Sequence, residues 1–155
     1  MSSVPLPALQ ILLIEDDPGD TVLVTEALAA HRLPSHLHTA PDAATALSML
    51  RADPDAAPAV RPHLILLDLN MPGMDGRELL TILKDDAHLR GIPAVVFTAS
   101  AADADIDVSY RAHANAYVTK PLTADEFAAA VAHIHSFYGG LAARAPINIA
   151  GQDAT

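Results

Sequence analysis

The sequence contains no cysteine, and its nineteen acidic residues outnumber nine basic ones. Without cysteine the chain can form no disulfide and no thiolate metal site, and thiol catalysis is excluded. The net charge of −10 argues against a nucleic-acid or anionic-lipid surface, because such surfaces are built from clustered Lys and Arg. We therefore expect neither nucleic acid nor membrane among the partners.

Long hydrophobic runs are also missing. The apolar runs, such as Leu64–Leu67, have the length of a strand and fall far short of the roughly 20 residues that span a bilayer. Residues 1–10 do not combine a basic start with a long apolar stretch, so we expect no secretion signal and a cytoplasmic protein. Of the 155 residues 51% are hydrophobic, which is enough to bury the core of one domain.

Short apolar runs alternate with helical patterns along the chain. The predicted strands are Leu9–Ile14, His36–Ala40, Leu64–Leu67, Ala94–Phe97 and Ala116–Val118. Apolar residues at helical spacing mark five helices: Val24, Ala27 and Leu28; Ala43, Ala46, Leu47 and Leu50; Leu79, Ile82 and Leu83; Ile106 and Tyr110; Phe127, Val131, Ile134 and Tyr138. This alternation predicts a flavodoxin-like, doubly wound α/β fold with a five-stranded parallel sheet in the order 2-1-3-4-5.

The predicted domain covers residues 9–138, after a lead of residues 1–8. We expect the last helix to break at Gly139 and Gly140 and a tail, without an output domain, to follow over residues 139–155. The proline-rich stretch from Arg51 to His63 predicts an extended surface connection before the third strand.

Polar residues occur where four of the predicted strands end. They are Glu15, Asp16, Asp17, Asp68, Asn70, Thr98 and Lys120, which Pro121 follows. Because parallel strands share a direction, these ends lie at one edge of the sheet, where doubly wound folds bind their ligands. We therefore predict one site assembled from residues far apart in sequence.

The residue types in this set suit phosphoryl transfer to a carboxylate. Carboxylates close together repel one another unless a cation lies among them, and oxygen ligands with positions left for water suit Mg²⁺. Asp68 would be the nucleophile, and Lys120 and the Thr98 hydroxyl would stabilise the charge on the phosphoryl oxygens. The chain has two lysines against seven arginines, and an ammonium is the compact point charge such a site needs. A cis bond before Pro121 would aim this ammonium inward.

These segments resemble the receiver domain of bacterial two-component response regulators. The resemblance covers about Gln10 to Tyr138. It is carried by Ile-Leu-Leu-Ile-Glu15-Asp16-Asp17-Pro18, Asp68-Leu-Asn70-Met-Pro-Gly-Met-Asp-Gly76, Val-Phe-Thr98-Ala-Ser100 and Tyr117-Val-Thr-Lys120-Pro121. It implies that Asp68 accepts a phosphoryl group from a phosphohistidine of a sensor histidine kinase.

The resemblance also implies further roles for the site residues. Mg²⁺ would be held by the carboxylates of Asp16 and Asp68, by the backbone carbonyl of Asn70 and, through a water, by Glu15. Thr98 and Tyr117 would form a conformational switch, although plain packing is the other role open to Tyr117. Asn70 and Ser100 would orient a water for slow self-dephosphorylation.

A narrower resemblance is to the stand-alone regulators paired with phytochrome photoreceptor kinases. It is carried by Asp75-Gly76-Arg77-Glu78-Leu79, by His113 to Lys120 and by Ile134 to Tyr138. Tyr138 departs from an expected tryptophan, and Ala116 from a more usual cysteine. The resemblance implies a phytochrome partner and a homodimer through helix 4, strand 5 and helix 5, where the last helix is rich in alanine.

Other functions are weighed against this interpretation. An aspartyl-phosphate phosphatase-type enzyme commonly carries a second aspartate two residues after the nucleophile as general acid, and Asn70 cannot donate a proton in that role. We therefore expect a phosphoacceptor signalling protein and not a turnover enzyme. A phosphate sink or a relay intermediate for a non-photoreceptor kinase remains compatible with the sequence.

Two histidine pairs are candidates for metal ligands. His36 and His38 lie two apart on a predicted strand and would share one face, either as a metal pair or as exposed side chains. His133 and His135 lie two apart on a helix, so they cannot chelate one ion together.

Overall fold

The computed structural model describes residues 8–51 and 61–141. The described chain alternates strands and helices: β1 (Leu9–Ile14), α1 (Pro18–Ala30), β2 (Ser35–Ala40), α2 (Ala43–Leu50), β3 (Leu64–Leu67), α3 (Gly76–Asp85), β4 (Ala94–Thr98), α4 (Asp103–Arg111), β5 (Ala116–Thr119) and α5 (Ala124–Ser136). A π-helical turn, Phe137–Leu141, continues α5. The predicted lead up to residue 7, most of the proline-rich connection (52–60) and the tail beyond residue 141 lie outside the described residues.

The strands form a parallel sheet in the order β2-β1-β3-β4-β5, which confirms the predicted fold. Apolar side chains leave β1 alternately toward the two faces of the sheet. On one face they pack with α2 and α3 through residues such as Leu50, Leu79 and Leu83. On the other face they pack with α1 and α5 through residues such as Leu28 and Val131. The sheet is thus covered on both sides, and its carboxyl edge is left for the loops.

Side-chain caps fix where α1, α2, α3 and α5 begin. Asp17, Asp42, Asp75 and Thr123 each accept a hydrogen bond from a backbone N–H in the first turn of the helix that follows. Such caps satisfy donors that have no partner inside the helix. Asp17 stands in the acidic run after β1, and its carboxylate caps α1 by accepting from the Gly19 N–H at 2.9 Å.

Two local expectations are wrong. Tyr110 was expected on the buried face of α4, but it is 49% exposed, and Ser109 is the residue of α4 that is buried. The helix contacts β5, an edge strand whose residues are partly buried or exposed, so α4 has little buried surface to pack against. Helical structure also continues through Gly139 and Gly140, because Tyr138 packs against the core and outweighs the low helix propensity of glycine.

None of the helices among the described residues has both the length and the apolar character needed to cross a bilayer.

Candidate functional site

Backbone hydrogen bonds extend the sheet by one residue and bring the predicted site residues together. The N–H of Glu15 donates to the last carbonyl of β2 at 3.0 Å, and that of Asp68 to the last carbonyl of β1 at 3.0 Å. The N–H of Lys120 donates to the carbonyl of Thr98 at 2.7 Å. These bonds place Glu15, Asp68 and Lys120 next to Thr98 at one edge of the sheet, where the strands end and the loops begin.

Three carboxylates cluster at this edge. Glu15, Asp16 and Asp68 each offer an oxygen within 4.8 Å of the others, and in the described part of the chain no other His, Cys, Asp and Glu side chains form such a group. Glu15 and Asp68 are buried, and Asp16 is exposed. Hard divalent cations prefer oxygen ligands of this kind and complete their shell with water. The donor set therefore fits a hard divalent cation at the solvent-facing side of the cluster.

Each oxygen of the Asp68 carboxylate accepts hydrogen bonds. The buried Thr98 hydroxyl donates to Oδ1 at 2.7 Å, the Asn70 backbone N–H donates to the same oxygen at 3.2 Å, and Lys120 Nζ donates to Oδ2 at 3.1 Å. Burial would raise the pKa of Asp68, but the Thr98 hydrogen bond, the Lys120 charge and the Asn70 hydrogen bond outweigh it and lower the pKa. Asp68 is therefore ionised at neutral pH, as a nucleophile must be.

The Lys120 ammonium lies among three carboxylates. Its Nζ donates to Glu15 Oε2 at 2.6 Å and to Asp20 Oδ2 at 2.7 Å, in addition to Asp68. Burial would lower the pKa of Lys120, but the hydrogen bonds to Asp20 and Glu15 and the surrounding negative charge raise it above its usual value. The peptide bond before Pro121 is trans, so the expected cis bond is wrong. Ion pairs aim the ammonium inward instead.

Glu15 responds differently to the same surroundings. Burial raises the pKa of Glu15 to about 7, even though its hydrogen bond with Lys120 and the Lys120 charge act in the opposite direction. The negative charge of Asp68 adds to the rise, and the Asp17 N–H, which donates to Glu15 Oε1 at 3.1 Å, opposes it. Burial and the Asp68 charge thus disfavour the ionised form of Glu15 by more than the Lys120 ammonium favours it.

The sequence pattern gave no role to two residues that the structure places at the site, Asp20 and Gly76. Asp20 lies in the first turn of α1 and not at a strand end, so it does not belong to the strand-end pattern. A signal existed: an acidic residue in the first turn of the helix that follows a site strand lies beside the site. A Cβ on Gly76 would lie 2.4 Å from the Asp68 carbonyl oxygen, so only glycine allows α3 to begin this close to Asp68.

Of the two switch candidates, Thr98 bonds to Asp68, whereas Tyr117 belongs to a separate polar chain. The Tyr117 hydroxyl donates to the carbonyl of Ser100 at 2.7 Å, and the Ser100 hydroxyl donates to Asp105 Oδ2 at 2.6 Å. Asp105 also pairs with Arg77. Tyr117 is half-buried, and the Ser100 hydroxyl is engaged by α4 in this conformation.

The four histidines considered as metal ligands are not part of the carboxylate cluster. His36 is exposed, and His38 Nε2 lies 2.9 Å from the side-chain oxygen of Gln10. His133 is exposed, whereas His135 is buried with Nε2 3.1 Å from the carbonyl of Pro34. The His135 contact joins α5 to the connection between α1 and β2, so its role is structural.

The sequence of the chain matches a known protein family. The sequence profile of the response regulator receiver domain matches residues 11–132. The chain belongs to the response regulator receiver family. Within that family, the receiver is 38% identical over 138 residues to the response regulator Rcp1 of Synechocystis sp. (strain PCC 6803), covering 89% of this chain and 94% of the relative.

Solved structures of response regulators resemble the receiver closely. A phosphorylated cyanobacterial phytochrome response regulator, RcpA, superposes with a TM-score of 0.82 and 39% identity, covering 88% of this chain and 98% of that one. The Mn²⁺-bound form of Rcp1 superposes with a TM-score of 0.81 and 36% identity, covering 89% and 99%. The receiver is thus similar, over most of its length, to two response regulators, of which RcpA is a cyanobacterial phytochrome response regulator.

Proposed function

We propose that this receiver is a cytoplasmic, stand-alone response regulator that accepts a phosphoryl group on Asp68 from a sensor histidine kinase, in a Mg²⁺-dependent phosphorelay. The observation that carries the proposal is the Asp68 carboxylate, held ionised by Thr98 and Lys120 beside the carboxylates of Glu15 and Asp16. In the proposed step an Asp68 oxygen forms a bond to phosphorus, and the phosphorus–nitrogen bond of the phosphohistidine breaks. The departing imidazole keeps the electron pair and takes up a proton.

The residues around Asp68 divide the work of this step. Lys120 would bind a phosphoryl oxygen as a point charge, and the Thr98 hydroxyl would donate to another. Asn70, two residues after the nucleophile, has no proton to give as general acid, which supports a phosphoacceptor over a phosphatase-type turnover enzyme. Asn70 and Ser100 would set the rate of slow self-dephosphorylation.

Mg²⁺ is the metal we propose for the acidic cluster. Asp16 and Asp68 would bind it through carboxylates, Asn70 through its backbone carbonyl, and Glu15 through a water. A bound cation would neutralise charge on the phosphoryl oxygens during transfer. The Mn²⁺-bound form of the similar regulator Rcp1 supports a divalent cation in this family.

The signal would leave the site through a shift between two conformations. A phosphoryl group on Asp68 would bind the Thr98 hydroxyl better in one of them, and this preference would favour that state. Tyr117, whose hydroxyl contacts the Ser100 carbonyl after β4, would carry the change to β5 and α4. Such a change requires contacts that differ between the two states. The Thr98 hydroxyl would supply them, because it donates to Asp68 here and would donate to the phosphoryl group in the other state.

The proposed kinase partner is a phytochrome, because the similar regulators RcpA and Rcp1 include a phytochrome response regulator. We also propose a homodimer through α4, β5 and α5. Exposed apolar side chains on this side of the molecule support it, with Val108 and Tyr110 on α4 and Phe137 just after α5.

The phosphoacceptor assignment is tested with acetyl phosphate and Mg²⁺, followed by intact-mass spectrometry. We expect one phosphoryl group on the wild-type chain and none on Asp68→Asn, because the amide is a poor nucleophile. Asp85→Asn, the same change at an exposed residue of α3, is the matched control and should label normally. Mg²⁺-dependent labelling that persists in Asp68→Asn would refute the assignment.

A further inference from the structure

The Lys120 ammonium has one strong partner to which the proposed phosphoryl chemistry gives no role. Its Nζ lies 2.7 Å from Asp20 Oδ2, compared with 2.6 Å to Glu15 Oε2 and 3.1 Å to Asp68 Oδ2. The Asp20 side chain is 24% exposed, and that of Lys120 is 8% exposed. The ion pair is therefore largely shielded from water and is not one of the weak pairs found on open surfaces.

The contacts of Lys120 leave it no spare donor. An ammonium has three N–H groups, and three carboxylates accept from them here. A phosphoryl oxygen on Asp68 would need one of these N–H groups, so the ammonium must release a partner to reach it. How fast this happens depends on how strongly the competing carboxylates hold Lys120.

Asp20 differs from the other two partners in its relation to the metal. Glu15 and Asp68 belong to the group of carboxylates that can hold a cation, and Asp20 does not. A divalent cation in the cluster would attract the negative charge of Glu15 and Asp68 and weaken their hold on Lys120. Asp20 would keep its full attraction for the ammonium and become its main competing partner.

We propose that Asp20 is a positioning residue that competes with the phosphoryl group for the N–H groups of Lys120 and so slows the labelling of Asp68. The inference rests on the proposed phosphoacceptor function. It assigns to the first turn of α1 a part in setting the response rate, through an ion pair that joins α1 to the loop after β5.

The test compares labelling rates with acetyl phosphate and Mg²⁺ in the full-length chain. Asp20→Asn removes the charge and keeps the shape of the side chain. Glu26→Gln, an exposed residue further along α1, makes the same change in net charge without touching Lys120 and is the matched control. We expect Asp20→Asn to label about three- to tenfold faster than wild type, since one charged hydrogen bond no longer competes, and Glu26→Gln to stay within about twofold.

A second measurement separates a hold on Lys120 from a general effect of charge. Three acceptors should protect the Lys120 Nζ–H protons from exchange, so their NMR signal should be sharp in wild type and in Glu26→Gln and broadened in Asp20→Asn. Asp20→Ser serves as a second variant, should the first fold poorly. If Asp20→Asn labelled at the rate of Glu26→Gln, or left the Lys120 signal unchanged, the role of Asp20 would be overturned. The proposed function would stand in that case, provided that the wild-type chain takes the label. A wild type that takes no label would remove both.

Discussion

Single residues at this site are constrained by neighbours that they touch through backbone as well as side chain. Gly76 begins α3 against the backbone of the loop after β3, and its N–H donates to the Leu69 carbonyl at 3.0 Å. A Cβ there would lie 2.4 Å from the Asp68 carbonyl oxygen and 2.7 Å from the Leu69 Cα. Backbone atoms of a buried loop cannot move aside cheaply, so glycine at this position preserves the geometry of Asp68, the proposed phosphoacceptor.

This close contact predicts the cost of one methyl group. Gly76→Ala should lower the free energy of unfolding by about 1–3 kcal/mol, since overpacking forces the backbone to shift. Gly91→Ala is the control, because a Cβ at Gly91 meets no atom within 4 Å, and it should change stability by no more than about 0.5 kcal/mol. Urea unfolding of the two variants measures the difference, and equal stabilities would contradict the close-packing argument.

At the scale of elements, the helices are joined to one another by a few polar links outside the apolar core. Arg77 in the first turn of α3 pairs with Asp105 in the first turn of α4. Asp105 in turn accepts a hydrogen bond from the Ser100 hydroxyl. The backbone carbonyl of Ser100 accepts one from the Tyr117 hydroxyl. Because α4 buries Ser109 and no large apolar side chain, we expect these polar links to contribute much of what holds the helix in place.

Breaking the Arg77 link should therefore loosen α4. Arg77→Met keeps most of the aliphatic stem and removes the charge, and we expect faster hydrogen exchange of the α4 amides. Arg111→Met is the control, because Arg111 pairs with Asp107 within α4 and both side chains are largely exposed. It should leave α4 exchange nearly unchanged. Equal exchange in the two variants would mean that α4 is held by other contacts.

The cap of α2 predicts a pH dependence. The backbone hydrogen bond from Thr45 lowers the pKa of Asp42 below 3.8. A carboxyl whose pKa is lowered in the folded state stabilises the fold above its unfolded pKa, and this stabilisation is lost as pH falls through the folded value. Asp42→Ala should therefore lower the thermal midpoint at neutral pH and lower it progressively less below pH 3.8.

The control for this experiment is Asp42→Asn, which can still accept the capping hydrogen bond but does not titrate. The difference between Asp42→Asn and Asp42→Ala should stay constant over the same pH range. If wild type kept its full advantage over Asp42→Ala in acid, the capping carboxylate would not be the titrating group.

At the scale of the whole molecule, the acidic site and the exposed apolar residues of α4 occupy different parts of the surface. The site lies at the carboxyl edge of the sheet, whereas Val108 and Tyr110 project from α4 beside the edge strand β5. The Tyr110 hydroxyl accepts a hydrogen bond from the Tyr117 backbone N–H at 3.2 Å, so part of that strand edge is already covered. The Tyr117 N–H is therefore not free to pair with a strand added at this edge.

A charge on α4 should test the proposed homodimer. We expect wild type to be dimeric in light scattering after phosphorylation, and Val108→Glu to be monomeric, because a charge in the middle of a standard interface is costly to bury. Val22→Glu on α1, with a similarly exposed valine, is the control and should remain dimeric. A wild-type monomer, phosphorylated or not, would count decisively against the dimer.

The sequence by itself determined the alternation of strands and helices, and therefore the fold and the edge at which polar residues gather. Asp68, Thr98 and Lys120 could be found because each lies at or directly after a strand end, and parallel strands bring such ends to one edge. The spacing of apolar residues fixed this much, since it is a local property of the chain.

Only the tertiary structure decided the contacts that depend on how helices sit against the sheet. The ion pair of Asp20 with Lys120, the close approach of Gly76 to Asp68 and the exposure of Tyr110 arise from helix position, which no local pattern specifies. The trans bond before Pro121 belongs here too, because both isomers of a bond before proline are open to the chain and the sequence does not choose between them. Local periodicity chooses the elements, while packing between elements far apart in sequence sets the distances on which chemistry depends.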